Sequence, residues 1–280
     1  MMHLSRERMA APGWPSAGRA IRILLSAFLL VSVLAPAARA SKGQFHVSCR
    51  FSHTAPNDPI VSPGKPGASH PHYFFANRST NAFSTYSSMT KASTSCSFAA
   101  DTSGYWTPAL VSPSGEVVTP RSMTAYYLAS GNVTAPPKNL RMIAGGDTRK
   151  LRIAGYACGE GNATSSVPLN CGSDRLKGVI VFPSCWDGKR LDSPDHRSHM
   201  AYPTGKGCPK RYPVQIPKIV FHITYGIRDG RGYTLVSDAM MGMERGMSLH
   251  ADLWNTWDQS VLEQKVTDCL NAGESCDLGG

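Results

Sequence analysis

The chain has 280 residues, 29 Lys and Arg against 19 Asp and Glu, and a formal net charge of +10. Hydrophobic residues make up 41%, and the chain is long enough for a sizeable core. The positive charge is spread along the chain without a Lys/Arg block, so nucleic acid is set aside as a partner.

Residues 1–40 read as an address. Arg6, Arg8, Arg19 and Arg22 form a positive first segment. Ile23 to Leu34 is an apolar run shorter than a membrane span, and Ala38-Arg39-Ala40 is an A-x-A cleavage site. The pattern predicts a secretory signal peptide cut before Ser41, with an uncleaved anchor as the competing reading. No later segment is apolar enough to cross a bilayer. The mature chain, residues 41–280, is then a secreted, extracellular protein. The leader takes five Arg and one Glu with it, leaving a net charge of +6. That balance suits an acidic wall polymer or a membrane surface and is also common in secreted proteins with neither partner.

Strand-like segments dominate the mature chain. Phe45–Phe51 alternates, His72–Phe75 is short and aromatic, and Tyr105–Val111, Met123–Leu128, Leu151–Tyr156, Val179–Phe182, Ile219–Ile227 and Tyr233–Val236 follow. They are rich in β-branched and aromatic residues and bounded by turn formers. Ser112-Pro113-Ser114-Gly115 reads as a hairpin turn. One helix is predicted near the C-terminus, capped by Asn255 or Thr256, with Val261, Leu262, Val266, Cys269 and Leu270 at helical spacing and Gly273 at its end. Residues 185–217 are rich in Pro, Gly and charge and read as a long functional or disulfide-tied loop. The expectation is a mainly β, sandwich-like single domain with long disulfide-tied loops and one C-terminal helix.

All eight cysteines fall in the mature part, an even number that argues for four disulfides in an exported chain. Pairing between near neighbours gives Cys49–Cys96, Cys158–Cys171, Cys185–Cys208 and Cys269–Cys276. The rival reading, a zinc site, finds no CxxC to support it. Asn77, Asn132 and Asn162 each begin an N-x-[ST] glycosylation pattern.

Histidine carries the best functional signal, because it titrates near neutral pH and is the commonest metal ligand. His70-Pro71-His72 is an HxH pair. In an extended segment its two imidazoles share a face about 7 Å apart, a separation that one metal or one substrate can use. The bland reading is two surface histidines near a strand start. Asp192-Ser193-Pro194-Asp195-His196-Arg197-Ser198-His199 places two Asp and two His in eight residues, just after Cys185-Trp186-Asp187. Carboxylate beside imidazole suits acid/base work, and its bland alternative is a solvated loop. His250 and Asp252 share a strand face with Trp254, a make-up that fits a sugar cleft. For Trp254 and Trp257 the competing role is core packing. His222 reads as a satisfied core or edge histidine. No G-x-S-x-G elbow, H-E-x-x-H helix or P-loop occurs. An N-terminal histidine copper ligand is excluded, because cleavage exposes Ser41 and the nearest histidine is His46.

Several stretches together resemble the DUF1996 domain family. They are Asp58-Pro59-Ile60-Val61-x-Pro63-Gly64, Ser69-His70-x-His72-x-Phe74-Phe75, Cys185-Trp186-Asp187-Gly188 through Leu191-Asp192-Ser193-x-Asp195-His196-x-Ser198-His199-Met200-Ala201-Tyr202-Pro203, and Leu249-His250-Ala251-Asp252-Leu253-Trp254-Asn255-x-Trp257. The resemblance implies an exported protein, mostly fungal or actinobacterial, in a glycan setting. It departs at Ala76, where the family has glycine.

Three functions follow as expectations. The first is a secreted hydrolase acting on a cell-wall or extracellular polysaccharide. In it Asp187, Asp192, His196 and His199 serve as acid and base, and His70, His72, Trp186, His250, Asp252 and Trp254 bind substrate. The second is a divalent-metal protein whose alternative ligand set is His70, His72, His199 and His250. The third is a non-catalytic glycan-binding module. The first two require the histidine clusters to meet in one cleft, whereas the third would use a shallow face of aromatic and polar residues.

Overall fold

The computed structural model describes residues 42–278; the expected signal peptide lies outside the described residues. Alternating residues over Gln44–Ala55 build a twelve-residue first strand, β1. There follow β2 (His72–Ala76), a helical turn α1 (Tyr86–Met89), β3 (Gly104–Pro108), β4 (Leu110–Val111), β5 (Pro120–Leu128), β6 (Arg141–Gly145), β7 (Ala154–Cys158), β8 (Leu176–Val181), β9 (Cys185–Trp186), β10 (Met200–Ala201) and β11 (Val214–Gln215). The chain ends with β12 (Lys218–Tyr225), β13 (Thr234–Leu235), β14 (His250–Trp254), α2 (Gln259–Lys265) running into a π-helical turn over Val266–Asn271, and β15 (Ser275–Asp277).

β1 serves two sheets. Its first half, Gln44 to Arg50, pairs antiparallel with β5, and its second half, Phe51 to Ala55, pairs with β2. A register shift between Phe51 and His53 marks the bend between them. The strand order is β6-β14-β3-β2-β1-β5-β12-β8-β7, with β15 beside β1. Phe45, Val47, Tyr73, Phe75, Tyr105, Phe221, Ile223 and Leu253 fill the space inside. The two free edges draw together at Gly145. An added Cβ there would stand 2.5 Å from the Leu249 carbonyl oxygen and 3.3 Å from the Ala154 Cβ, so only glycine lets the sandwich come this near to a closed barrel.

A polar chain runs through this core. The Trp257 indole N–H donates to the Tyr127 hydroxyl at 3.0 Å, the Tyr127 and Tyr105 hydroxyls are 2.9 Å apart, and Tyr105 donates to Asp101 at 2.7 Å. Each donor polarises the next toward the one carboxylate, which is why four buried polar groups are tolerated there.

The mainly β architecture, the C-terminal helix and all four expected disulfides are present. The Ser112–Gly115 turn closes with Ser112 donating to Glu116. Some details differ. The expected strand from Leu151 begins at Ala154, because the preceding residues form a turn in which Ile153 and Ala154 both donate to Lys150. Asp258 caps the helix through the N–H groups of Ser260 and Val261, while the Asn255 amide is spent on the carbonyls of Pro136 and Pro137. Asn77 is buried, its amide nitrogen donating to Met89 and Thr102, so the folded chain offers no glycosylation there. Among the described residues no helix is long and apolar enough to cross a membrane.

Candidate metal centre

The sheet β1-β2-β3-β14-β6 has an inner face on the core and an outer face with a second, smaller cluster of Phe74, Trp106, Ile143 and Trp254. Because side chains alternate, His72 and Phe74 leave β2 on that outer face, as His250, Asp252 and Trp254 leave β14. Asp252 lies opposite Trp106 on one side and Ile143 on the other. His72 lies opposite Pro108, and His250 opposite Gly145. On the intervening strand β3 the compact Pro108 stands beside His72, leaving the two imidazoles room to lean together. The β1–β2 loop folds over this face and brings His70 and Asp58 onto it.

The result is a convergence of residues far apart in sequence. The ring centroids of His70 and His72 are 4.2 Å apart, closer than the spacing expected for a flat strand. Those of His70 and His250 are 5.2 Å apart, and those of His72 and His250 are 5.8 Å apart. One donor atom from each of these three histidines lies within 4.8 Å of the other two, and Asp58, His72 and Asp252 form a second such triplet sharing His72. Ligands of one ion at a metal–nitrogen distance of about 2.0–2.1 Å stand about 3.3 Å apart in a tetrahedral site, so a small inward shift closes this one.

Tautomers are set by the backbone. His72 Nδ1–H donates to the Asn57 carbonyl at 3.0 Å, and His250 Nδ1–H donates to the Ser248 carbonyl at 2.8 Å. Each leaves Nε2 with its lone pair free, which is how metal-binding imidazoles are commonly oriented. The buried Nε2 atoms of His70 and His72 and both carboxyl oxygens of Asp252 have no hydrogen-bond partner. Burial lowers the pKa of all three histidines. For His72, which is fully buried, the neighbouring His70 and His250 add to the effect, and His250 falls to about 3. They are neutral at pH 7, the form that ligates. Burial raises the pKa of Asp58 and raises that of Asp252 well above its usual value, the latter also through Asp58, with Arg197 opposing. Asp58 is further fixed by the Ile60 and Val61 N–H groups, both at 2.9 Å.

The centre lies at the base of a cleft of about 360 Å³ whose rim includes Ser69, His196, Arg197, Met240 and Met241. Hollows of similar size elsewhere, such as one of about 400 Å³ between Lys42 and Lys218, hold no such cluster.

The Asp192–His199 segment divides. His196 lines the cleft, and its Nδ1–H donates to Asp192 at 2.9 Å; Asp192 in turn meets Arg141 at 3.3 Å. His199 does not join them. It is fully buried, with Nε2–H on the Arg141 carbonyl at 2.6 Å and Nδ1 bonded to Ser193 at 2.9 Å, so no ring nitrogen is left for a metal or a substrate. Asp187 organises its own turn. It accepts from the N–H groups of Lys189 and Arg190 and from the Arg190 guanidinium; these hydrogen bonds outweigh its burial and hold its pKa below the usual value. Asp195 likewise accepts from Arg197, Ser198 and Ser193 and is held low by them.

Neither tryptophan expected to stack on sugar offers a free face in the cleft. Trp254 is buried under the Arg141 guanidinium, 4.0 Å from its ring, and donates to Asn139. Trp186 is partly buried and donates to the Arg190 carbonyl. The residue that sequence reasoning passed over as a ligand is Asp58, although it opens the first stretch quoted for the family resemblance. His222 sits on the other sheet beside Glu160 at 3.4 Å.

No curated protein and no solved structure matches the chain. The family described as "Domain of unknown function (DUF1996)" matches residues 58–257, a span that holds every residue of the centre from Asp58 to Asp252. The chain belongs to the DUF1996 family.

Proposed function

We propose that this protein binds a divalent transition-metal ion through His70, His72 and His250, with Asp252 and Asp58 as carboxylate ligands. The observation that carries the reading is the set of buried, partnerless donor atoms, His70 Nε2, His72 Nε2 and both oxygens of Asp252, on residues of two ligand triplets that share His72. Buried polar groups are normally satisfied, and each one left bare costs about 1–3 kcal/mol. Four such atoms in one place make sense as ligands. Two carboxylates and neutral imidazoles leave room for two positive charges, and an imidazole-rich set suits zinc, copper or nickel. Bound there, an ion would act as a Lewis acid on whatever enters the cleft. The protein's own groups hold the imidazole tautomers and exclude water from the sheet side.

The test is titration of metal-free protein with Zn²⁺, Co²⁺ and Cu²⁺. One ion per chain is expected, with binding abolished in His72→Ala. If no ion binds more tightly than a Kd of about 10 μM, the reading fails.

A second reading, a metal-assisted hydrolase of an extracellular polysaccharide, is favoured by His196 on the cleft rim, held from behind by Asp192. With Nδ1–H given to Asp192, His196 Nε2 is free to take and return a proton. Release of reducing ends from a wall-polymer panel, lost in His196→Ala, would support it; no product from any polymer would end it. Four disulfides fit work in an oxidising compartment. N-terminal sequencing of exported protein should then begin at Ser41.

A further inference from the structure

Eight methionines lie in the described residues, and burial divides them into two sets. Met89, Met123, Met142 and Met200 are buried and fill the core, the ordinary use of this side chain. Met240, Met241, Met243 and Met247 are not buried, with Met240 67% and Met241 42% exposed. These four fall within one run of eight residues, Met240-Met241-Gly242-Met243-Glu244-Arg245-Gly246-Met247. Core packing explains the first set and leaves the second without a role.

The loop that carries them is fixed at its base. The buried Asp238 carboxylate accepts the N–H groups of Leu235 and Gly246, both at 2.7 Å, and the Ser248 hydroxyl at 2.6 Å. The Ser237 and Ser248 hydroxyls are 2.6 Å apart. This clamp holds Ser248, whose carbonyl orients His250. The Asp238 clamp thus pins both ends of the methionine loop next to β14, and Met240 and Met241 line the same cleft as His70, His250 and Asp252.

We propose that the ion taken by this centre is copper, with Met240 and Met241 offering thioether sulfurs to Cu(I) at the cleft mouth above the three imidazoles. The proposal rests on the metal-centre reading and names its metal. A thioether is a soft, uncharged donor that selects Cu(I) and adds little for zinc, magnesium or calcium, whereas imidazole serves copper in either oxidation state. A merely apolar rim for docking a partner would not need sulfur, and leucine would serve as well.

That difference supplies the test. Cu(I) affinity is measured by competition with a chromophoric Cu(I) chelator under reducing, anaerobic conditions, and Co²⁺ affinity by its visible absorption. Both are compared in wild type and in the Met240→Leu/Met241→Leu double variant, whose altered side chains are exposed and nearly unchanged in volume. The double variant should lose at least about tenfold in Cu(I) affinity with Co²⁺ affinity unchanged. Unchanged Cu(I) affinity beside normal Co²⁺ binding overturns the copper assignment and leaves the metal centre standing. Wild type that binds neither ion overturns the metal-centre reading, and the copper proposal falls with it.

Discussion

Asp252 should destabilise the metal-free protein. The residue is 1% exposed and neither carboxyl oxygen has a partner. Burial first, and Asp58 second, raise its pKa well above the usual value. The folded chain therefore binds a proton that the unfolded chain has released, so this residue's contribution to stability declines as pH rises out of the ordinary carboxylate range. Replacing Asp252 by Leu, of similar size, removes the bare polar group and the titration together. At pH 7 the EDTA-treated variant should be about 1–3 kcal/mol more stable than wild type. For a folded unit of this size, about 2–4 °C accompanies each kcal/mol, so a gain of 2 kcal/mol appears as a Tm rise of about 4–8 °C. The gap should widen from pH 5 to pH 8. Adding metal at about 100 times Kd should stabilise wild type by about 2.7 kcal/mol and leave the variant unmoved. Thermal unfolding by circular dichroism with and without metal reads all of this. A variant that is less stable than wild type without metal, or a gap that does not depend on pH, would refute the account of Asp252 as a ligand held bare.

Three further outcomes are expected. His199→Ala should cost about 2–4 kcal/mol by emptying a buried site and stranding the Arg141 carbonyl and Ser193, yet leave metal stoichiometry intact, as titration of the folded fraction would show. Ala76 sits at φ +61° with its methyl fully buried, so Ala76→Gly relieves left-handed strain while losing a packed methyl and should be neutral within about 0.5 kcal/mol. Ala125→Gly, equally buried in β5, should cost about 1 kcal/mol or more, with both variants read by denaturant unfolding. The buried Asp101 has a pKa of about 7, raised by burial and opposed by the Tyr105 and Ser103 hydrogen bonds. Stability should thus fall between about pH 4 and pH 7 by up to about 4 kcal/mol from this group, and Asp101→Asn should flatten that slope.

The covalent and local features were legible from sequence. Alternation and β-branched residues mark β1, β5 and β12, and closeness along the chain gave all four disulfides, since short loops close cheaply. The histidine pair His70 and His72 and the pair His250 and Asp252 were marked by period-two spacing, which depends on the strand alone. Within Asp192–His199, spacing misled: His196 reaches the cleft and His199, three residues on, is buried. The chain turns between them, with His196 in the left-handed region at φ +55° and its N–H on the Ser193 carbonyl.

Sequence by itself determined the class of fold, the disulfide pairs and which residue types are rich enough in chemistry to form a site. Only the tertiary structure decided membership. It brought Asp58 in, left His199, Asp187 and Trp254 out, and set the exposed methionines beside the histidines. The physical reason is that strand spacing fixes which face a side chain leaves, while pairing between β2, β3, β14 and β6 and the loops folded across them fix what it meets there. Free ring nitrogens are settled last, by whichever carbonyl stands within reach.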